Sequence, residues 1–251
     1  MNYNWNWKIF WDMAADGTGS WGMTLFYGVL WSLATALCAG LIAFLLGSLL
    51  GVIRTTPNKW LVRIGNAYVE LFRNIPLLVQ LFLWFFVLPE LLPKGTGDAL
   101  KQMSPPWASF VPAVIGLGLF TAARVSEQVK AGIQSLSRGQ LMAGTALGLT
   151  LAQTYRYVLL PMAYRIIMPP LTSETMNLIK NTSVALTIGL IELTAAARSL
   201  QEFTFQVFEA FTAATLIYIF VNLCVVMFMR WLEKSVAVPG FIGHAVVGGA
   251  H

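Results

Sequence analysis

The sequence predicts an all-α membrane protein with about five transmembrane helices. Of its 251 residues, 57% are hydrophobic and only 11% are charged, whereas an ordinary soluble domain has roughly 25% charged residues. The length agrees with this class, because one helical crossing of a bilayer takes about 20 apolar residues. The composition therefore argues against a water-soluble enzyme.

The basic excess is explained by membrane topology better than by nucleic-acid binding. The net charge of +5 comes from 16 Lys and Arg residues against 11 Asp and Glu residues. A nucleic-acid-binding protein would gather such an excess in a solvated patch, but here it is spread thinly between apolar runs. We therefore expect no nucleic-acid partner. Cys38 and Cys224 lie inside apolar runs as small apolar side chains, so no disulfide or metal site is expected.

The first predicted span lies within 37 consecutive uncharged residues, 17–53, and its clearest part is 26–52. This run is dominated by Leu, Ala, Val, Ile and Gly, and it is long enough to cross a bilayer. The preceding residues 1–21 lack the basic start of a secretory signal peptide. We expect them to form an uncleaved extracytoplasmic or interfacial segment.

Within that segment, four side chains share helical spacing: Trp7, Phe10, Trp11 and Ala14. The spacing i, i+3, i+4, i+7 predicts a short helix lying in the membrane interface. An aromatic belt flanking the first span explains the same residues equally well.

The second and third spans are predicted from shorter uncharged runs. Residues 74–89 are uncharged, and we expect this helix to begin near Ala67. The third span is predicted to start near Trp107, after two prolines, and to continue beyond Arg124 and Glu127. Arg124 would then lie at one face of the bilayer. Residues 210–229 contain no charged side chain and are predicted to form the final span.

The fourth predicted span, 166–191, is ambiguous because it carries Glu174 and Lys180. Each charge at mid-span costs about 2.5 to 3.5 kcal/mol, and each of the ten Leu, Ile and Val residues returns about 0.3 to 0.6 kcal/mol. The sum is close to zero. Such a segment is expected to pack inside the protein or to line an aqueous path.

A polar face follows this span, since Glu174, Asn177 and Asn181 are spaced i, i+3, i+7, with Lys180 at its edge. One interpretation is a substrate pathway. The other is structural: Glu174 and Lys180 pair with neighbouring helices or a partner subunit, and Arg124, Glu127 and Lys130 form a solvated ladder at the mouth.

The positive-inside rule predicts that the N-terminus lies outside and the C-terminus in the cytoplasm. With five spans, this orientation places eleven basic residues on the cytoplasmic side and four outside. The cytoplasmic residues are Arg54, Lys59, Arg63, Arg73, Arg124, Lys130, Arg138, Arg156, Arg165, Arg230 and Lys234, and the outer ones are Lys8, Lys94, Lys101 and Arg198.

The connection 138–165 is too apolar for a plain linker. We predict a short helix over 140–147, a break at Gly148, and a second short helix over 150–160 that begins at Thr150 as N-cap and is closed by Pro161. Leucines exposed on these helices, Leu141, Leu147, Leu149 and Leu151, indicate a docking element for another protein. The alternative is a helical hairpin folded back on its own spans.

This connection resembles the EAA loop of type-1 ABC importer permeases. The stretch RGQLMAGTALGLTLAQTYRYVLLPMAYRIIMPPLTSETMNLIKNTSVA is similar to the polar amino-acid branch, as are VELFRNIPLLVQLFLWF and AARVSEQVKAGIQSLSRGQ. Together with FVLPELLP they resemble permease subunits of glutamate/aspartate importers, over nearly all of residues 20–235. One position departs: the loop's glutamate falls on Met142, so shape and apolar contact are the expected coupling force.

The resemblance implies a transport subunit of the bacterial inner (plasma) membrane and not an enzyme. Its permease domain would span 22–235, with the coupling loop at 138–165 and a cytoplasmic tail at 236–251. The implied partners are a cytoplasmic ABC ATPase, a second permease subunit in a homo- or heterodimer, and an extracytoplasmic amino-acid-binding protein. The chain has no phosphate-binding loop; ATP is expected to be used by the partner ATPase, with no cofactor bound directly.

The resemblance also implies roles for named residues. The ATPase-coupling residues would be Gly139, Gln140, Met142, Ala143, Gly144, Leu147, Gly148, Leu149 and Pro161. The pathway roles come instead from the polar face and the chemistry of the implied substrate: for a dicarboxylic amino acid, Lys180 and Arg124 would meet the carboxylates, Glu174 or Glu127 would meet the ammonium, and Asn177 and Asn181 would supply amides.

Two other functions explain some of these features. A self-sufficient secondary amino-acid transporter would use midplane charges for ion coupling, but it predicts internal repeats, and the two halves share no common pattern. A membrane scaffold would have no need of the polar face. No catalytic or metal site is expected, since His244 and His251 stand alone in a Gly-rich tail.

Overall fold

The fold is taken from a computed structural model, which describes residues 3–236 except 16 and 18. The described chain is built of helices, which confirms the predicted class. They are α1 (Trp21–Ile53), α2 (Lys59–Asn74), α3 (Leu77–Leu91), α4 (Lys94–Lys101), α5 (Trp107–Gln134), α6 (Arg138–Ala146), α7 (Leu151–Ile188), α8 (Leu193–Thr204) and α9 (Val207–Val236). The tail 237–251, with both histidines, lies outside the described residues.

Among the described residues, three helices are long and apolar enough to cross a membrane alone: α1, α5 and α9. Two bent pairs add up to two further crossings: α2 and α3 meet at 102°, and α7 and α8 meet at 50°. The count reaches the predicted five if each pair is one span. We call the end of the bundle that carries α6 the loop end and the opposite end, where α1 and α9 begin, the far end.

The centre of the bundle is the contact between α1 and α5, which glycines bring close together. A Cβ on Gly47 would lie 2.7 Å from the Val125 Cβ, and one on Gly51 would lie 2.6 Å from the Val129 Cβ. Small residues allow such close approach between membrane helices, where van der Waals packing drives association. This packing fixes α5 as the scaffold for the charged residues near its loop end.

The predicted start of the second span near Ala67 was wrong. Residues 59–74 form a separate helix, α2, and the chain turns sharply before α3 begins. Ile75 is extended, with φ −96° and ψ 127°, because a residue before proline is pushed out of helical geometry. Pro76 therefore breaks what the hydropathy suggested was one helix.

The prediction that Pro161 closes a short second helix was also wrong. The helix that begins at Leu151 continues to Ile188 and includes the whole of the polar face. A π-helical turn over Tyr155–Leu159 precedes the proline. The wider turn relieves the clash and the lost hydrogen bond that proline causes in a regular helix. A second π-helical turn, Leu83–Val87, precedes Pro89 in the same way.

In the described part of the N-terminal segment the helical structure is a 3-10 turn, Trp7–Trp11, that ends before Ala14, so the predicted helix through Ala14 was wrong. Trp7 and Trp11 are exposed, whereas Ala14 is buried outside the turn. The segment is held by long-range bonds instead: Tyr3 donates its hydroxyl to Glu209 at the start of α9, and the Asn6 N–H donates to Glu209 Oε1 at 2.7 Å. These contacts override the local helical spacing.

Candidate functional site

A polar cavity of about 430 Å³ lies near the loop end, where α2, α5 and α7 meet. Its lining residues are Arg73, Phe120, Arg124, Glu127, Gln128 and Glu174. Two arginines and two glutamates therefore face one small space between helices. Charges gathered between candidate membrane helices mark candidate pathways.

The charges in and beside the cavity pair across helices. Glu127 Oε1 lies 2.8 Å from Arg54 Nη2 and 3.3 Å from Arg73 Nη1. Arg54 is buried and also donates to Asn66 and Ser126. The solvated ladder along α5, one of the two interpretations of these charges, does not hold at Glu127, which instead joins an ion-pair network that ties α1 and α2 to α5.

Glu174 is less completely paired than Glu127. Its Oε2 lies 3.7 Å from Arg124 Nη1, its side chain is 13% exposed, and Oε2 accepts no hydrogen bond from the described residues. A buried carboxylate oxygen normally has a hydrogen-bond partner. Glu174 therefore has acceptor capacity left for a ligand donor in the cavity.

Lys180 lies in a different place from Glu174. It borders a cleft of about 600 Å³ between α7 and α9, together with Thr194, Tyr218 and Asn222. Six helical residues rotate a side chain about 120° away from the starting face. The structure thus brings three predicted pathway residues together and places Lys180 elsewhere; Asn177 and Asn181 are half-buried on α7 and do not line the polar cavity.

Two groups of residues were missed at the sequence level. Arg73 and Gln128 line the cavity, and the signal for Arg73 was its position just before the proline break. Glu192 is fully buried between α7 and α8. It accepts from the Thr194 and Ala195 N–H groups and from the Tyr218 hydroxyl, each at 2.9 Å. Glu192 is the N-cap of α8, but glutamate is not among the residues preferred there, and its distant partners leave no sequence signal.

The segment between α5 and α7 has a defined shape. Gly148 adopts φ +75°, as its predicted role as a break requires, and Thr150 caps α7 in a capping box with Gln153. Gly144 lies against Thr154, where a Cβ would come within 2.6 Å. The two helices therefore form a fixed corner.

Much of the apolar surface of this corner is exposed: Met142 is 66% exposed and Leu147 80%, with Leu141 and Leu151 at 40% and 45%. The other predicted coupling positions divide as follows: Gly139, Ala143, Gly148 and Pro161 are exposed, Gln140 and Leu149 are half-buried, and Gly144 is buried. Exposure of this kind fits a surface that another protein covers.

Comparison with known proteins identifies the family. Residues 43–238 match the family described as binding-protein-dependent transport system inner membrane component. The chain belongs to this family. It is a transport component and not an enzyme, and the family description agrees with the several apolar helices in placing it in a membrane. The family also favours a component that works with a binding protein over the self-sufficient transporter.

Individual relatives agree with this membership. This chain is 49% identical over 249 residues to the glutamate/aspartate import permease protein GltJ of Escherichia coli strain K12. The alignment covers 97% of this chain and 99% of the relative. The chain is 30% identical to GltK of Escherichia coli O6:H1, covering 84% and 92%.

Solved structures share the fold. An amino acid ABC transporter crystallised with histidines aligns at a TM-score of 0.71 and 28% identity, covering 86% of this chain and 95% of that one. The inward-facing MetNI methionine ABC transporter aligns at 0.71 and 20% identity, covering 86% and 98%, which shows the fold alone.

Proposed function

We propose that this chain is the membrane-spanning permease subunit of an ATP-driven importer for glutamate and aspartate. The observation that carries the proposal is the near-complete alignment with GltJ at 49% identity. The substrate would come from an extracytoplasmic amino-acid-binding protein in a bacterial inner membrane. A second permease subunit completes the path, and the resemblance to both GltJ and GltK supports a heterodimer.

Uptake by the reconstituted complex tests this function directly. Vesicles holding ATP inside should accumulate radiolabelled glutamate in the presence of the ATPase, the second permease and the binding protein. Unlabelled aspartate should compete, and unlabelled lysine should not. If lysine competes and aspartate does not, the proposed glutamate/aspartate specificity is wrong. If this chain alone takes up glutamate down an ion gradient, the proposed ATP-driven mechanism is wrong.

The exposed corner around Gly148 supports coupling to a separate ATPase, which would use the ATP. A rigid, shaped surface can transmit the nucleotide state if the ATPase contacts differ between two forms of the permease. Met142 stands at the position that the resemblance gives to the family's glutamate, and Met142 and Leu147 would supply apolar contact area to the ATPase. No cofactor bound by this chain is needed in this scheme.

Gly148→Val tests the corner, because a β-branched residue is strained at φ +75°. We expect loss of co-purification with the ATPase or ATP hydrolysis without transport. Gly95→Val is the matched control, since Gly95 has open space around it. Normal transport by the Gly148 variant would remove the coupling role.

The polar cavity supports a pathway for a dicarboxylic amino acid. Arg124 and Arg73 would meet its carboxylates, and Glu174, with an oxygen that lacks a hydrogen bond, would meet its ammonium. Lys180, Asn177 and Asn181 would contact the substrate at other points of the pathway, outside the polar cavity and along α7. Glu127 would act mainly by holding Arg73 in place.

Two variants separate the cavity from the Lys180 cleft. Arg124→Gln and Lys180→Met should each reduce uptake with the complex still assembled, and Lys94→Met is the control for removing an exposed cation. If only the Arg124 variant reduces uptake, the Lys180 cleft lies off the pathway.

The orientation remains a prediction from the basic residues, with the loop end in the cytoplasm. Single cysteines placed at Leu147 and at Phe205, both strongly exposed, can be labelled with an impermeant reagent in intact spheroplasts, with Cys38 and Cys224 replaced by alanine. Labelling at 205 and not at 147 is expected. The reverse pattern would contradict both the orientation and the coupling role.

A further inference from the structure

The outward side of α2 carries a narrow apolar stripe. Its members are Trp60, Ile64, Ala67 and Leu71, spaced i, i+4, i+7, i+11. Trp60 is 71% exposed, Ile64 63% and Leu71 56%. Gly65 and Val69, on the opposite side of the helix, are buried against the bundle. Within the described residues, the stripe is therefore not covered by another part of the chain.

The direction of α2 suits a helix that lies along the membrane surface. It meets α3 at 102°, and α3 packs against α5, where Gly116 lies against Leu81 and Trp84. Helix α2 crosses α5 near the end of that helix's apolar part: the Tyr68 hydroxyl donates to the Leu119 carbonyl at 2.8 Å, and Arg73 pairs with Glu127. A helix perpendicular to a span, at the level where charges begin, lies in the interface.

The first two turns of α2 are positively charged beside the stripe. Lys59 and Arg63 are exposed, and neither pairs with an acid among the described residues. The Arg63 guanidinium lies 5.2 Å from the centre of the Trp60 ring. Glu70, the acid of α2, is roughly 10 Å further along the axis. Tryptophan beside unpaired cations is typical of the headgroup level.

We propose that α2 is a binding site for anionic phospholipid headgroups. Lys59 and Arg63 contact the lipid phosphates, and Trp60 and Ile64 enter the boundary of the acyl chains. A bilayer offers phosphates and an apolar boundary together along the whole length of the helix. A protein partner would need acidic side chains placed beside the one flank of the stripe that carries Lys59 and Arg63. The charge pattern therefore favours lipid. The inference goes beyond the transport function and does not depend on the substrate.

Quenching by brominated lipids tests the site in the full-length chain. A bimane label is attached at Ile64→Cys, with Cys38 and Cys224 replaced by alanine, and the protein is placed in lipid nanodiscs. Brominated phosphatidylglycerol and brominated phosphatidylcholine are compared at equal mole fraction. We expect stronger quenching by the anionic lipid, because each cation near the surface enriches it by about fivefold. The same label at Leu216→Cys, on the exposed side of α9, should respond equally to both lipids.

Charge variants decide between the occupants. Lys59→Gln with Arg63→Gln should abolish the preference for the anionic lipid at position 64. Lys8→Gln with Lys94→Gln, which removes the same charge elsewhere, should keep it. Equal quenching by both lipids in the parent chain would overturn the proposal. So would a label that neither lipid quenches and that the second permease subunit protects, because the stripe would then be a protein interface.

Discussion

The two bent helix pairs close their breaks with different chemistry. Between α2 and α3, the buried Gln80 side chain donates from Nε2 to the Phe72 and Ile75 carbonyls, both at 2.9 Å. Between α7 and α8, Glu192 accepts the first N–H groups of α8 and is bonded to Tyr218 of α9. A helix break in a membrane leaves backbone groups that the protein itself must satisfy.

The difference lies in how far each closure reaches. Gln80 acts on carbonyls five and eight residues before it, so it fixes only the angle of its own pair. Glu192 is linked to Ser32, 160 residues away, and the nearby Ile188 carbonyl accepts from Ser109 at 2.7 Å. The second break therefore holds α1, α5 and α9 as well as α8. The Gln80 closure joins only its own helix pair, and α2 is held to α1 and α5 by separate contacts of Asn66, Tyr68 and Arg73. The Glu192 closure by itself makes the far end one unit.

The largest effect should follow from Glu192→Ala. The change leaves two helix N–H groups without their acceptor and removes the bond from the Tyr218 hydroxyl, which keeps its contact with Thr194 Oγ1. Each of these three net bonds contributes about 1 kcal/mol, and the longer contact from Ser32 at 3.4 Å contributes less. We expect a loss of about 3 kcal/mol in unfolding free energy, measured by SDS titration in mixed micelles. Glu192→Gln keeps one acceptor oxygen and should lose less. Glu202→Ala, an exposed acid of the same helix, is the control, and an equal loss there would remove the special position of Glu192.

Gln80→Met should have a smaller effect, of about 2 kcal/mol, because two carbonyls lose their donor. The effect should also be local. Hydrogen exchange should rise at the end of α2 and stay unchanged at the start of α8, and Glu192→Ala should show the opposite distribution. Gln134→Met, at an exposed position of α5, controls for the new side chain. Loosening of both breaks in the Gln80 variant would show that the two closures are coupled.

Gly189→Ala tests the backbone of the second break. Gly189 adopts φ +84°, and a Cβ there would lie 3.4 Å from the Ser109 Oγ, an ordinary contact. The cost should therefore come from the left-handed conformation alone, about 1 kcal/mol. Gly95→Ala, without positive φ and with open space around it, should be neutral. A loss of stability as large as that of Glu192→Ala would mean that packing, and not conformation, governs this turn.

The contrast between the breaks also explains what the sequence predicts. The spans α1, α5 and α9 follow from uninterrupted apolar length, a property of each segment by itself. The charge pattern predicts a common pathway for Arg124 and Glu174, and in the structure both line one cavity. Pro161 was misread because the π-helical turn before it, which lets the helix continue, has no signature in the apolar pattern. Glu192 was missed because its partners come from other helices, far away in the sequence.

The smallest predicted effect, and the sharpest test of the comparison, is Tyr218→Phe. The change removes one donor to Glu192 and leaves the backbone cap intact, so the loss should be about 0.6 kcal/mol, as for hydrogen bonds between membrane helices. Combined with Glu192→Ala, it should cost less than it does alone, because the Glu192 acceptor is already gone and only the contact with Thr194 Oγ1 is left to lose. The double-mutant cycle is measured by SDS titration, with Tyr27→Phe, an exposed tyrosine of α1, as control. If the losses of unfolding free energy in the two single variants add fully in the double variant, Tyr218 stabilises α9 by packing alone. The helices of the far end would then be held together by van der Waals packing and not by the Glu192 carboxylate.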